Sequence, residues 1–264
     1  MHGQHLLKSH GMTPGEFYID VICKSAGVVA DDRLHSRGFT ANIVKMNAEE
    51  LMHAIEITEN GEFAVAAFSE KNKGASDQIH REINRLVHNY LCAVASYADH
   101  SRNFMRQHYA GTSFEADYVA EVQQVFSDSE LCRFVRDLRN FMTHRGLPES
   151  NFRLNFTRIK DEATQSDAHG GVPCEISSGV SYKTGRFLEW DGWTAPARRY
   201  LSGAGFEVAL RVIFEKHIAT MEAFESWFID RFRQHHEADY AELEQLQHEF
   251  RRLEREQEQG LAPE

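Results

Sequence analysis

Three residues within LRNFMTHRGLP, residues 138–148, have the types and spacing to bind and cut a phosphodiester: Arg139, Asn140 and His144. Arginine stays charged and offers a planar fork of donors to phosphate oxygens. A histidine imidazole ordinarily titrates near pH ~6.5, so it can take the proton of a ribose 2′-hydroxyl and return one to the leaving oxygen. That chemistry needs neither a metal nor a cofactor. Asn140 and His144 stand four residues apart and share a helical face, with Arg139 about 100° around the axis from Asn140. Gly146 and Pro148 follow at once, a pattern that stops helices. His144 is therefore expected in a fraying last turn, where its ring could leave the helical cylinder and converge with the guanidinium.

The bare spacing carries little weight. Arginine and histidine separated by four to six residues recur at Arg81/His88, Arg102/His108, Arg139/His144, Arg211/His217 and Arg231/His236, no more often than this composition produces by chance. Context separates the two pairs with a four-residue gap. Arg139 is followed by a polar residue before a helix stop, whereas Arg231 sits mid-helix in a run of mixed charge.

The elements that must hold these residues read as helices. From Asp77 to about Tyr109, Ile79, Ile83, Leu86, Val87, Tyr90, Leu91, Val94 and Tyr97 recur at helical spacing and predict one long, one-sided helix. A second helical region covers 113–144, with a break at SDSE, whose residues suit a helix restart. Its apolar face carries Leu131, Phe134, Val135, Leu138 and Phe141, and two antiparallel helices burying these stripes are expected. Residues 149–195 change to period two, with FRLNFTRI as a strand, DEATQSDAHGG as a polar loop and GVSYKTGRFLEW as a hairpin turning at Thr184 and Gly185. Helix resumes with WDGWTAPARRYL and continues from Phe206. Leu243, Leu246, Phe250 and Leu253 form a heptad-like stripe on a C-terminal helix at about 236–258.

The fold class expected is mainly α: an antiparallel helical bundle over 71–264 with a small antiparallel β insertion. Residues 1–70 form an unassigned N-terminal segment, in which FYIDVICK reads as a strand and Asn47 as the cap of a short helix, AEELMHAIEI, ending at Asn60 and Gly61.

The formal charge of −11 argues against a nucleic-acid partner unless basic residues are concentrated somewhere. They are. Residues 131–160 hold Arg133, Arg136, Arg139, Arg145, Arg153, Arg158 and Lys160 against Asp137 and Glu149, a net of +5, while 235–264 carries a net of −6. Cys23, Cys92, Cys132 and Cys174 are scattered, with no spacing that suggests zinc or a redox pair. No signal-like apolar run opens the chain, and no uncharged stretch nears the roughly 18 residues of a membrane span, so the expectation is a cytoplasmic protein with no membrane partner.

RNFMTH, at the end of the second of two long helices, resembles the motif of the HEPN superfamily: an arginine, a polar residue, then a histidine four to six positions after the arginine. NYLCAVASYADHSR on the first helix is similar to the facing helix of some bacterial HEPN-like proteins. The resemblance covers about residues 77–148. It implies a metal-independent endoribonuclease, in which Arg139 stabilises charge on the phosphoryl oxygens, His144 deprotonates the 2′-hydroxyl and Asn140 orients them. It further implies RNA as substrate, a homodimer with a composite site, and a role as a toxin or defence effector with an antitoxin or other protein partner. Asp99, His100 and Arg102 on the first helix, with Arg136 and Arg145 on the second, are the binding residues it suggests.

Superfamily members also serve as non-catalytic RNA- or nucleotide-binding modules and as protein-interaction scaffolds, so the fold alone does not establish catalysis. The residues leave structural readings open as well. Asp99 and Arg102 suit a surface ion pair, and Arg139 and His144 suit a helix terminus tied to carboxylates and carbonyls. Trp190 and Trp193 could stack on a base, but pinning a hairpin onto a helix is the commoner role. No metal site is expected, since no HExxH occurs, and phosphate loops and GxSxG elbows are missing too. The C-terminal stripe is a second reason to expect a dimer, because its apolar residues need a cover.

Overall fold

Thr13 and Glu16 form a reciprocal capping box that starts α1, Pro14–Phe17, and the chain continues through a π-type turn, Tyr18–Ile22. FYIDVICK is thus helical rather than a strand: a strong local start signal, with Pro14 in the first turn, outweighs its β-favouring composition. The computed structural model describes residues 11–67, 69, 72–158 and 174–260. The loop DEATQSDAHGG, Lys160, Glu264 and the side chain of Arg158 lie outside these residues.

Ser25 then caps α2, Ala26–Glu59, a single helix of 34 residues. Asn47 does not start a helix. It sits inside α2, where its amide donates back to the Ile43 carbonyl at 2.8 Å. α2 ends at Asn60, and α3, Gly61–Ala67, begins beneath the sheet, where a Cβ on Gly61 would run into the Ile176 carbonyl.

α4, Lys73–His108, is the long one-sided helix read from the sequence. α5, Ser113–Val122, runs into a second π-type turn, Gln123–Ser127, and α6, Glu130–His144, restarts with Ser129 as its cap, within the SDSE run. β1, Ser150–Arg158, pairs antiparallel with β2, Cys174–Lys183, with Phe152 opposite Val180. β2 does not turn at Thr184 and Gly185. Thr184 Oγ1 donates to the Gly205 carbonyl at 2.6 Å, its N–H donates to the Phe206 carbonyl at 3.1 Å, and a short α7, Thr184–Leu188, follows. The other edge of β2 is taken by β3, Glu207–Ala209, which completes a three-stranded antiparallel sheet. α8, Ala195–Gly203, α9, Leu210–His235, and α10, Glu237–Glu258, complete a mainly α fold with a small β insertion. No helix among the described residues is long and apolar enough to cross a membrane.

α2 and α4 are the most extensively packed helix pair, and α9 supplies Phe214, Phe224, Phe228 and Phe232 to the same core. A smaller cluster joins Leu243, Leu246 and Leu253 of α10 to Phe17 and Ile22. The heptad-like stripe is therefore covered within the chain, and the dimer contact expected from it does not arise there.

Several polar groups inside this core are matched to one another, while the Tyr182 hydroxyl is buried without a partner among the described residues. Arg37 donates to Glu225 and to the Tyr97 hydroxyl, each at 2.5 Å, and Tyr97 also donates to Glu225. Tyr90 and His217 share a 2.6 Å hydrogen bond, and burial pushes the His217 imidazole down to about 4. An unfolded histidine titrates near pH ~6.5, so between these values the unfolded chain takes up a proton that the folded chain refuses. The contribution of His217 is whole above pH ~6.5 and is lost as pH falls towards 4, by about 3 kcal/mol in total. Urea midpoints at pH 7 and pH 4.5 should converge more closely in His217→Gln than in wild type; equal spacing in the two proteins would count against this account.

Candidate phosphate-binding cleft

The apolar stripe of α6, with Phe134, Val135, Leu138 and Phe141 buried, turns the intervening arginines to the rim. Arg133, Arg136 and Arg139 step by three residues and so stay on one side of the helix. Together with Arg102 of α4 they line a cleft of about 250 Å³. Its walls are apolar and aromatic, from Leu91 and Val94 of α4, Tyr118 of α5, and Met221 and Phe224 of α9, and among the described residues no aspartate or glutamate lines it.

The four arginines are not equally committed. Arg102 pairs with Asp99, one turn back on its own helix. Arg136 donates to Asp137 Oδ1 from Nη2 at 2.9 Å and from Nε at 3.1 Å. Arg133 and Arg139 have no carboxylate partner among the described residues, and the Nε of Arg133 is buried without an acceptor. Two guanidiniums thus line one cleft with no carboxylate paired to either among the described residues, an arrangement that favours an anion.

Asp137 explains why α6 sits where it does. It is buried, and its Oδ2 accepts from the Thr194 N–H at 2.8 Å and the Thr194 hydroxyl at 2.6 Å, which ties α6 to the start of α8. Trp193 stacks on Phe141 and Phe134, and its Nε1 donates to the Phe187 carbonyl at 2.5 Å. Trp190 meets Phe141 edge-on. The two tryptophans therefore pin the α7–α8 connection onto α6.

The remaining candidates are dispersed. Helix geometry persists through His144, Arg145 is the cap, and Gly146 adopts φ +130°, so the glycine stop operates as the sequence suggests. The last turn does not release the imidazole. His144 lies five positions after Arg139, which places them about 140° apart around the axis and about 7.5 Å along it. His144 is exposed and lines no part of the arginine cleft; Asn140 is half-buried. Neither side chain has a hydrogen-bond partner among the described residues. Arg145 faces a separate depression with Arg186 and Glu149, and His100 turns to Thr40 of α2 at 3.1 Å. Arg153 pairs with Glu207 on the sheet.

The other pair with the same gap is structural throughout. Arg231 donates to Asp117 at 2.6 Å, and His236 bridges Tyr109 and Asp239. Arg139 and His144 have no such ties.

Sequence reasoning found three of the four arginines as site residues and placed Arg133 only in the basic island. Their three-residue recurrence was the signal available for Arg133. The aromatic wall was not found: Tyr118 and Phe126 come from the elements just before α6, but Phe224 reaches the cleft from α9, remote in sequence. Protein-family models, curated proteins and solved structures give no match to this chain, so the likeness of RNFMTH to the HEPN motif stands on those residues.

Proposed function

We propose that the protein binds RNA, with backbone phosphates held by Arg133, Arg136 and Arg139 and a base or ribose against the apolar wall. The observation that carries this reading is the cleft itself: among the described residues, four arginines and no lining carboxylate, in a chain of net charge −11. Arginine forks suit phosphate, and aromatic side chains suit the faces of bases. Fluorescence anisotropy with a labelled single-stranded RNA tests it across a salt series. Loss of two phosphate contacts in Arg133→Ala/Arg139→Ala should weaken binding and flatten the log–log salt slope by about 1.4. Arg186→Ala, which removes a surface partner of Glu149 away from the cleft, should change little. Wild-type affinity in the double variant would refute the proposal.

A second reading adds metal-independent endoribonuclease activity, and the unpartnered state of Arg139 and His144 favours it over a purely structural helix end. On this reading the strand leaves the cleft and passes over the end of α6, where His144 meets the 2′-hydroxyl. Asn140, on the face of His144, orients the ribose.

A further inference from the structure

α2 has two apolar faces, and only one is covered. Val44, Ala48, Leu51 and Ile55 face the core, while Phe39, Ile43 and Met46 project to solvent at 62%, 52% and 53% exposure. A helix apolar on opposite sides is one that packs on both. The outward stripe, continued by Asp32 and Ser36 at one end and Glu50 and His53 at the other, steps by four and three, the spacing of a helix–helix seam.

We infer that this face of α2 binds a second copy of the chain, antiparallel, about a two-fold axis passing between Asn42 and Ile43. The polar residues at the ends of the stripe argue for this occupant and this register. With the axis there, Phe39 lies opposite Met46 of the partner subunit, and Ile43 beside Ile43 of the partner subunit. The same register sets His35 opposite Glu50 of the partner subunit and Asp32 opposite His53 of the partner subunit. Each contact occurs twice, as an isologous interface requires. Both ends of the seam thus pair a histidine with a carboxylate, over a length of about 30 Å. Beside the seam, Gly38 and Ala41 line an open groove between α2 and α9, which leaves that flank clear for the approaching helix. No residue of the stripe lines the arginine cleft, so the interface is argued independently of the RNA reading.

Sedimentation velocity from about 1 to about 100 µM tests the interface. Wild type should move from 30.3 kDa towards twice that mass. Ile43→Glu sets two carboxylates against each other at the axis and should raise the dissociation constant by roughly 30-fold or more. The position is exposed, so thermal melts at low concentration should show the fold intact. Glu50→Lys should weaken the dimer, and His35→Glu added to it should restore it. A wild-type monomer throughout the range, a dimer indifferent to Ile43→Glu, or failure of the paired charge exchange to restore association would each overturn the inference.

Discussion

Glu225→Ala should destabilise the protein by roughly 3–5 kcal/mol, the usual consequence of stripping the counter-charge from a buried ion. The ion is Arg37, whose side chain is 3% exposed where α2 meets α9. Its guanidinium stacks 3.6 Å from the centre of the Phe228 ring, which covers one of its faces. Glu225 itself is 23% exposed, which pulls the loss towards the lower end of that range. The Tyr97 hydroxyl cannot take over as an anion, because burial holds its pKa well above the ordinary tyrosine value. Removing both charges behaves differently. Arg37→Met/Glu225→Leu leaves no stranded ion and should recover most of the loss, short of the unpaired Tyr97 hydroxyl. Urea denaturation reads both: a lower midpoint at unchanged slope in the single variant, and a return towards wild type in the double. A single variant as stable as wild type would mean that Arg37 is solvated in a way its burial denies.

His144→Ala should reduce any RNA cleavage by roughly 10²- to 10⁴-fold, the contribution of a general acid or base, if the ribonuclease reading holds. DNA should be refractory, since it lacks the 2′-hydroxyl nucleophile, and products should end in 2′,3′-cyclic phosphate. Chelation by EDTA should leave the rate unchanged, because the proposed chemistry uses only Arg139, Asn140 and His144. Arg139→Lys should also be damaging, as a point charge does not reproduce a guanidinium fork. His144 is exposed, so its variant should keep the wild-type melting temperature within a few degrees. Cleavage equal in the two proteins, or lost on chelation, would remove catalysis and leave binding. The separation of about 140° on α6 sharpens the test, since an RNA too short to span from the cleft to the helix end should bind without being cut.

How much of this was legible depended on whether a helix had one face or two. α4 and α6 were read closely because each buries a single stripe, which leaves a clear 3.6-residue period. α2 was not read as one helix. Its outward Phe39, Ile43 and Met46 cancel the contrast with the inward Val44, Ala48 and Leu51, and only its end, around AEELMHAIEI, looked periodic. β1 showed its alternation, but β2 was misjoined, because what ends it at Thr184 is carbonyls more than twenty residues further on. The site followed the same division. Arg136 and Arg139 announced themselves through local charge, whereas the wall from α9 and the Arg37–Glu225 pair exist only through contacts remote in sequence.

The position of α2 also shapes how the chain is made. Its inner surface meets α4 soon after it leaves the ribosome, but Gly27 lies against Leu243 and Asp239 of α10, so closely that a Cβ would collide. About 180 residues must be synthesised between the end of α2 and that contact, or about 10–40 s at ordinary elongation rates. During that interval an early helix waits with apolar surface uncovered, the condition in which nascent chains aggregate or engage chaperones. Placing α2 against α10 makes completion of this part of the fold wait for the synthesis of α10.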